Sequence, residues 1–152
     1  MVLSQLLLPV LRERFPDRGL ISAEPPDSCA VFPGTHPGIR GVSIYDDGDE
    51  LTLCIDDLTH GHFAEYAEGL SDAERAERVV ESVAEFLDAL FTDQVAVWGQ
   101  ANVGGGWYRI DLGGAGGHAG IQEFVWSGPL VQRHAQPAAA ADGGGMTAFP
   151  DS

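Results

Sequence analysis

Lysine is absent from the chain of 152 residues, whose eight basic residues are arginines set against 23 acidic ones, for a net charge of −15. A field of that sign repels phosphate backbones and anionic headgroups, so sequence-independent binding to nucleic acid or to a membrane surface is disfavoured. With only two cysteines, Cys29 and Cys54, a disulfide scaffold is excluded, and buried thiols are the expectation. No run approaches the ~20 apolar residues that span a bilayer. The N-terminal segment Leu6-Leu7-Leu8-Pro9-Val10-Leu11 has its arginines after it instead of before it, which argues against a secretory signal and for the cytoplasm. There is no nucleophile elbow, H-E-x-x-H, phosphate loop or paired C-x-x-C.

The acidity that remains is local. Residues 1–41 hold 4 Arg and 4 acids, residues 42–93 hold 2 Arg and 15 acids, and residues 94–152 hold 2 Arg and 4 acids. The middle third therefore favours a cation or a basic protein partner as its counterpart, although an acidic surface also serves solubility alone.

Leu3, Leu6, Leu7, Val10, Leu11 and Phe15 fall on one face of a helix over residues 3–15, with Pro9 predicting a later start or a kink. After it, Pro25, Pro26, Pro33 and Pro37 with several glycines leave room only for a short edge strand over 29–32. Residues 41–45 and 50–56 flank Asp46-Asp47-Gly48-Asp49 as a hairpin, and alternation in the second strand puts Cys54 and Asp56 on one face. A capping box at Ser71 and Glu74 opens a second helix over 72–92, whose outer face carries Glu77, Glu81, Glu85 and Asp88 as an acidic ridge. Residues 94–99, 107–112 and 121–126 read as a meander. The tail 134–152 is rich in Ala and Gly, has few large apolar residues, and is expected to be mobile. The predicted class is α+β, in the order α-β-β-β-α-β-β-β. A single domain over 1–133 would carry a largely antiparallel sheet of five to six strands with both helices on one face.

Chemistry could sit at Thr59-His60-Gly61-His62-Phe63. Two imidazoles at i, i+2 on extended backbone point the same way, and Asp56 or Cys54 would complete a divalent metal site such as zinc. An open position would make it the centre of a metal-dependent hydrolase, with His36 and Cys29 as further ligands. The alternative is that His62 and Phe63 pack at a strand-to-helix corner and His60 bonds the backbone. Asp46-Asp47-Gly48-Asp49-Glu50 lacks the alternating ligands of a calcium loop. Gly114-Ala115-Gly116-Gly117-His118-Ala119 matches a dinucleotide fingerprint but precedes a strand, which leaves a hairpin loop or a small-ligand lid over 113–120. Trp98, Trp107, Tyr108, Phe124 and Trp126 all lie in the last strands, where they form either core or an exposed binding face that includes Trp107.

Asp49-Glu50-Leu51-Thr52, Thr59-His60-Gly61-His62-Phe63 and Leu90-Phe91-Thr92-Asp93-Gln94-Val95 resemble segments of small bacterial α+β proteins of unassigned function. Over about residues 40–100 the chain is also similar to acidic single-domain immunity proteins, which neutralise toxins. That resemblance implies an inhibitor that binds another protein, and it carries over no catalytic residue; the charge balance favours a basic partner. On it the expected function is a cofactor-free protein-binding module that uses the ridge and an exposed sheet face.

Overall fold

A computed structural model describes residues 2–23, 27–100, 104–114 and 121–130. The predicted tail and most of the 113–120 loop fall outside these residues. Helix α1 covers Leu3–Arg14 and buries Leu3, Leu7 and Leu11. Pro9 neither delays nor ends it. Its ring and the Gln5 carbonyl, the acceptor its missing N–H would have used, both lie on exposed residues, where water can serve that oxygen. The α1 N-terminus is closed from a distance, since Ser4 N–H donates to Asp46 Oδ2 at 2.8 Å. An acid of the hairpin turn thus sits where the helix dipole favours negative charge.

Five strands follow in part before the second helix: β1 (Ile21–Ser22), β2 (Ala30–His36), β3 (Ile39–Asp46), β4 (Leu51–Ile55) and β5 (Thr59–Phe63) form one antiparallel sheet in sequence order. Strand β2 runs past Pro33, beyond the predicted 29–32. Its β1 neighbour reaches only Ala30 and Val31, so Pro33 lies where β2 is an edge and no ladder bond is lost. Alternation in β4 is as read, with Leu51, Leu53 and Ile55 buried and Thr52 and Cys54 half-buried on the outer face. The H-x-H segment is itself a strand and not a corner.

Helix α2 covers Asp72–Phe91, and both bonds of the predicted capping box are present. Its apolar stripe is buried from Ala76 to Phe91. Beyond it, β6 (Val95–Gln100), β7 (Gly104–Arg109), β8 (Glu123–Val125) and β9 (Gly128–Pro129) make a second antiparallel sheet, ordered β7-β6-β8-β9. The α+β class therefore stands, with two sheets of five and four strands in place of one sheet of five to six.

One apolar cluster gathers residues from both helices and both sheets. Phe91 at the end of α2 is its hub: the rings of Phe15, Phe32 and Trp126 lie 5.2, 5.1 and 4.9 Å from it, all edge-on. The sheets meet along two seams. At one, His36 Nε2–H donates to Val125 O at 3.0 Å and Thr35 Oγ1 to Trp126 O at 3.3 Å, and Gly38 leaves space for the Phe124 ring. At the other, Gly105 faces the Leu58 carbonyl just before β5.

Candidate functional site

Register decides what the outer face of the first sheet holds. Strands β4 and β5 pair Thr52 with His62 and Cys54 with His60, so both imidazoles stand on the outer face with their rings 5.1 Å apart and edge-on. The hairpin turn closes around His62. Thr52 Oγ1 donates to Asp47 Oδ2, while His62 Nδ1 lies 3.1 Å from Thr52 Oγ1 and 2.8 Å from Glu50 Oε2. Because a hydroxyl has one proton and Thr52 gives it to a carboxylate, its oxygen must accept from Nδ1–H, as Glu50 must also. The neutral His62 is thereby assigned the Nδ1–H tautomer, with the lone pair on Nε2.

Of the other expected metal ligands, Asp56, Cys29 and His36 are engaged elsewhere and only Cys54 lies beside the pair. Asp56 is turned away by its left-handed backbone, at φ 52°, and is held by Arg40. The Arg40 Nη2 and Nε reach Asp56 Oδ1 at 2.6 and 3.0 Å, and Arg40 N–H reaches Oδ2 at 2.8 Å. Burial opposes its ionisation, but these bonds and that from Asp57 N–H prevail and hold its carboxyl below the ordinary value. Cys54 does adjoin His60, yet its thiol is raised, first by burial and then by the negative charges of Asp47 and Asp57. Cys29 is buried in the core and its thiol is pushed up to about 11, chiefly by that burial. His36 is committed at both nitrogens, Nε2 to Val125 O and Nδ1 to Gly38 N–H, each at 3.0 Å. Among the described residues no group of three or more His, Cys, Asp and Glu is placed to hold a metal ion.

The acidic ridge on α2 is largely engaged within the chain. Arg14 of α1 reaches Glu81 at 3.1 Å and Asp88 at 2.7 Å, and Arg109 of β7 reaches Glu85 at 3.1 Å and Asp111 at 2.8 Å. Both guanidinium pKa values are raised, Arg14 first by its bond to Glu81 and Arg109 first by its bond to Asp111. The like-charge row thus fastens the flanking elements to α2, and of the four only Glu77 has no such arginine among the described residues. Trp107 is no surface residue either. It is buried with its ring 4.7 Å from that of Phe86, because that side of β7 faces α2. Tyr108, on the opposite side, is also buried and donates to the buried Glu123 Oε1 at 2.6 Å.

The loop between β5 and α2 carries no motif that marks it as a site. Arg75 gathers three of its carbonyls, those of Glu65, Ala67 and Leu70, at 2.9, 3.1 and 3.3 Å. Glu65 Oε2 accepts from Ala67 N–H at 3.0 Å. On this tethered loop Tyr66 is 81% exposed, more than any other large apolar side chain described. Glu68, Asp72 and Glu77 nearby in sequence are exposed as well. The only available signal was the aromatic between acids in Glu65-Tyr66-Ala67-Glu68, and nothing local told that Arg75 would turn back onto the loop.

A groove of about 430 Å³ lies where α1 and α2 end, lined by Arg14, Phe15, Arg18, Asp88 and Phe91 among others. Its arginines already serve the fold. Arg18 stands 4.7 Å over the Phe91 ring and 3.5 Å from the Phe91 carbonyl, a cation at the negative end of α2, which has no basic residue in its own last turn.

No family model, curated protein or solved structure matches the chain. No described helix is long and apolar enough to cross a membrane.

Proposed function

We propose that the protein is a non-enzymatic binding module of the cytoplasm, of immunity or inhibitor type, that receives a basic protein partner on the acidic surface around Tyr66. The observation that carries this reading is the exposed Tyr66 on a loop fixed through Arg75. Tyrosine is a frequent interface anchor, because it offers a large rigid contact area at low entropic cost. A loop already ordered in the free protein avoids part of the ordering cost of association. Glu68, Asp72 and Glu77 would supply the charge complementarity, and Tyr66 a ring face for a guanidinium or ammonium group.

The ridge is a weaker contact than composition suggested, since Glu81, Glu85 and Asp88 are already paired with Arg14 and Arg109. The test is paired affinity capture from the source cell with wild type and with Tyr66→Ser, followed by calorimetry on the protein that distinguishes them. A basic partner is expected, held by wild type and lost by Tyr66→Ser, with affinity that falls as salt rises because exposed charges are screened beyond about 8–10 Å. A partner that binds both forms equally, or with no salt dependence, would refute the Tyr66 surface as the contact.

A further inference from the structure

The geometry points to a two-imidazole chelate for a late first-row divalent metal, copper(II) before nickel(II) or zinc(II), formed by His60 and His62 on the outer face of β5. Three observations support it independently of the binding function proposed above. Alternation along β5 sets both side chains on one face, and the antiparallel register with β4 confirms that face as the outer one.

The ring separation is the second. Two imidazoles bound to neighbouring positions of one ion through nitrogens at about 2.0–2.1 Å bring their ring centroids to about 4.5–5 Å from each other, the lower figure for a tetragonal ion and the upper for a tetrahedral one. Here they are 5.1 Å apart.

The third is the arrangement behind His62. A ligating histidine characteristically gives its other ring N–H to a carboxylate or similar acceptor, which fixes the tautomer and raises the basicity of the ligating nitrogen. Glu50 and the Thr52–Asp47 pair do this at Nδ1 and assign the lone pair to Nε2.

Asp56 and Cys54 are not part of this site. The first is held by Arg40, and the second completes no group of three ligands among the described residues. With no third protein donor assembled among the described residues, water would occupy the remaining positions. The preference for copper follows from the general order of divalent affinities at nitrogen sites, in which copper exceeds nickel and zinc.

The experiment titrates full-length, chelator-treated protein with copper(II), and separately with nickel(II), by calorimetry, with electron paramagnetic resonance of the copper form. Wild type and a His118→Gln/His134→Gln variant are expected to bind one equivalent with the nitrogen signature of imidazole ligands. His60→Asn/His62→Asn should lose it while keeping the wild-type circular dichroism spectrum. Thr52→Val and Glu50→Ala should keep the site but weaken it about tenfold or more. Equal binding by wild type and His60→Asn/His62→Asn overturns the proposal, and so does loss of binding in His118→Gln/His134→Gln. Imidazole nitrogen NMR of the metal-free protein provides a reading that needs no variant. Protonation of His62 at Nδ1 is expected, and protonation at Nε2 in the neutral ring would overturn the proposal as well.

Discussion

Asp56 illustrates how one residue's chemistry is set by its neighbours. In sequence it shares a face with Cys54, but the left-handed turn at φ 52° rotates it onto Arg40 and Asp57 N–H. Its depressed carboxyl pKa gives a stability contribution that is full above the ordinary carboxylate value of about 3.9 and is lost as pH falls through the lower folded value. Arg40→Ala should therefore raise the midpoint of acid unfolding followed by tryptophan fluorescence. The shift is expected to be small and to shrink in salt, because the Arg40 side chain is 68% exposed. Identical acid midpoints for the two proteins would show that the pair adds nothing to stability. His62 follows the same logic: its role is fixed by Thr52 and Glu50, which are ten and twelve positions away in sequence.

At the scale of elements, α2 was the most legible part of the chain. A capping box, a stripe of apolar residues and an acidic outer row all act locally, so they could be read without knowing the rest of the fold. Ser71→Ala removes the acceptor for Glu74 N–H, which lies at 3.1 Å, and should cost about 1 kcal/mol in denaturant unfolding. The acidic row needed the tertiary structure for its meaning. Arg14→Ala and Arg109→Ala, each of which strips two carboxylates of their cation, should each cost up to about 1 kcal/mol. The cost should be larger for Arg109, whose side chain is 13% exposed against 34% for Arg14, and smaller for both in high salt. A cost that does not change with salt would assign it to lost packing of the arginine stems instead of charge.

For the whole molecule the telling features are the seams between the two sheets. Gly105 lies where backbone comes from both sides: a Cβ there would stand 2.0 Å from Trp98 O, 2.6 Å from Gly99 Cα and 2.9 Å from Leu58 O. None of these is a flexible side-chain end. Gly105→Ala should thus destabilise by about 2–3 kcal/mol or more in thermal or denaturant unfolding, as overpacking against atoms that cannot move aside does. Gly48→Ala offers a comparison in open space, where only the strain of φ 100° applies. If the two variants unfold alike, the seam is looser than its backbone distances indicate. Leu58 and Gly105 are far apart in the chain, and the sequence showed only a run of three glycines.

What the sequence determined by itself is the local physics. The α+β class, both helices, the hairpin at Asp46–Glu50, the alternation of β4 and the common face of His60 and His62 all follow from periodicity, caps and turn residues within a few positions of one another. Only the tertiary structure decided that the nine strands among the described residues divide into two sheets, that Trp107 is buried, that Asp56 belongs to Arg40, and that the α2 ridge is engaged by Arg14 and Arg109. Each of these depends on which distant residue becomes a neighbour. Strand register and chain reversal fix that, and short-range propensity carries no record of either.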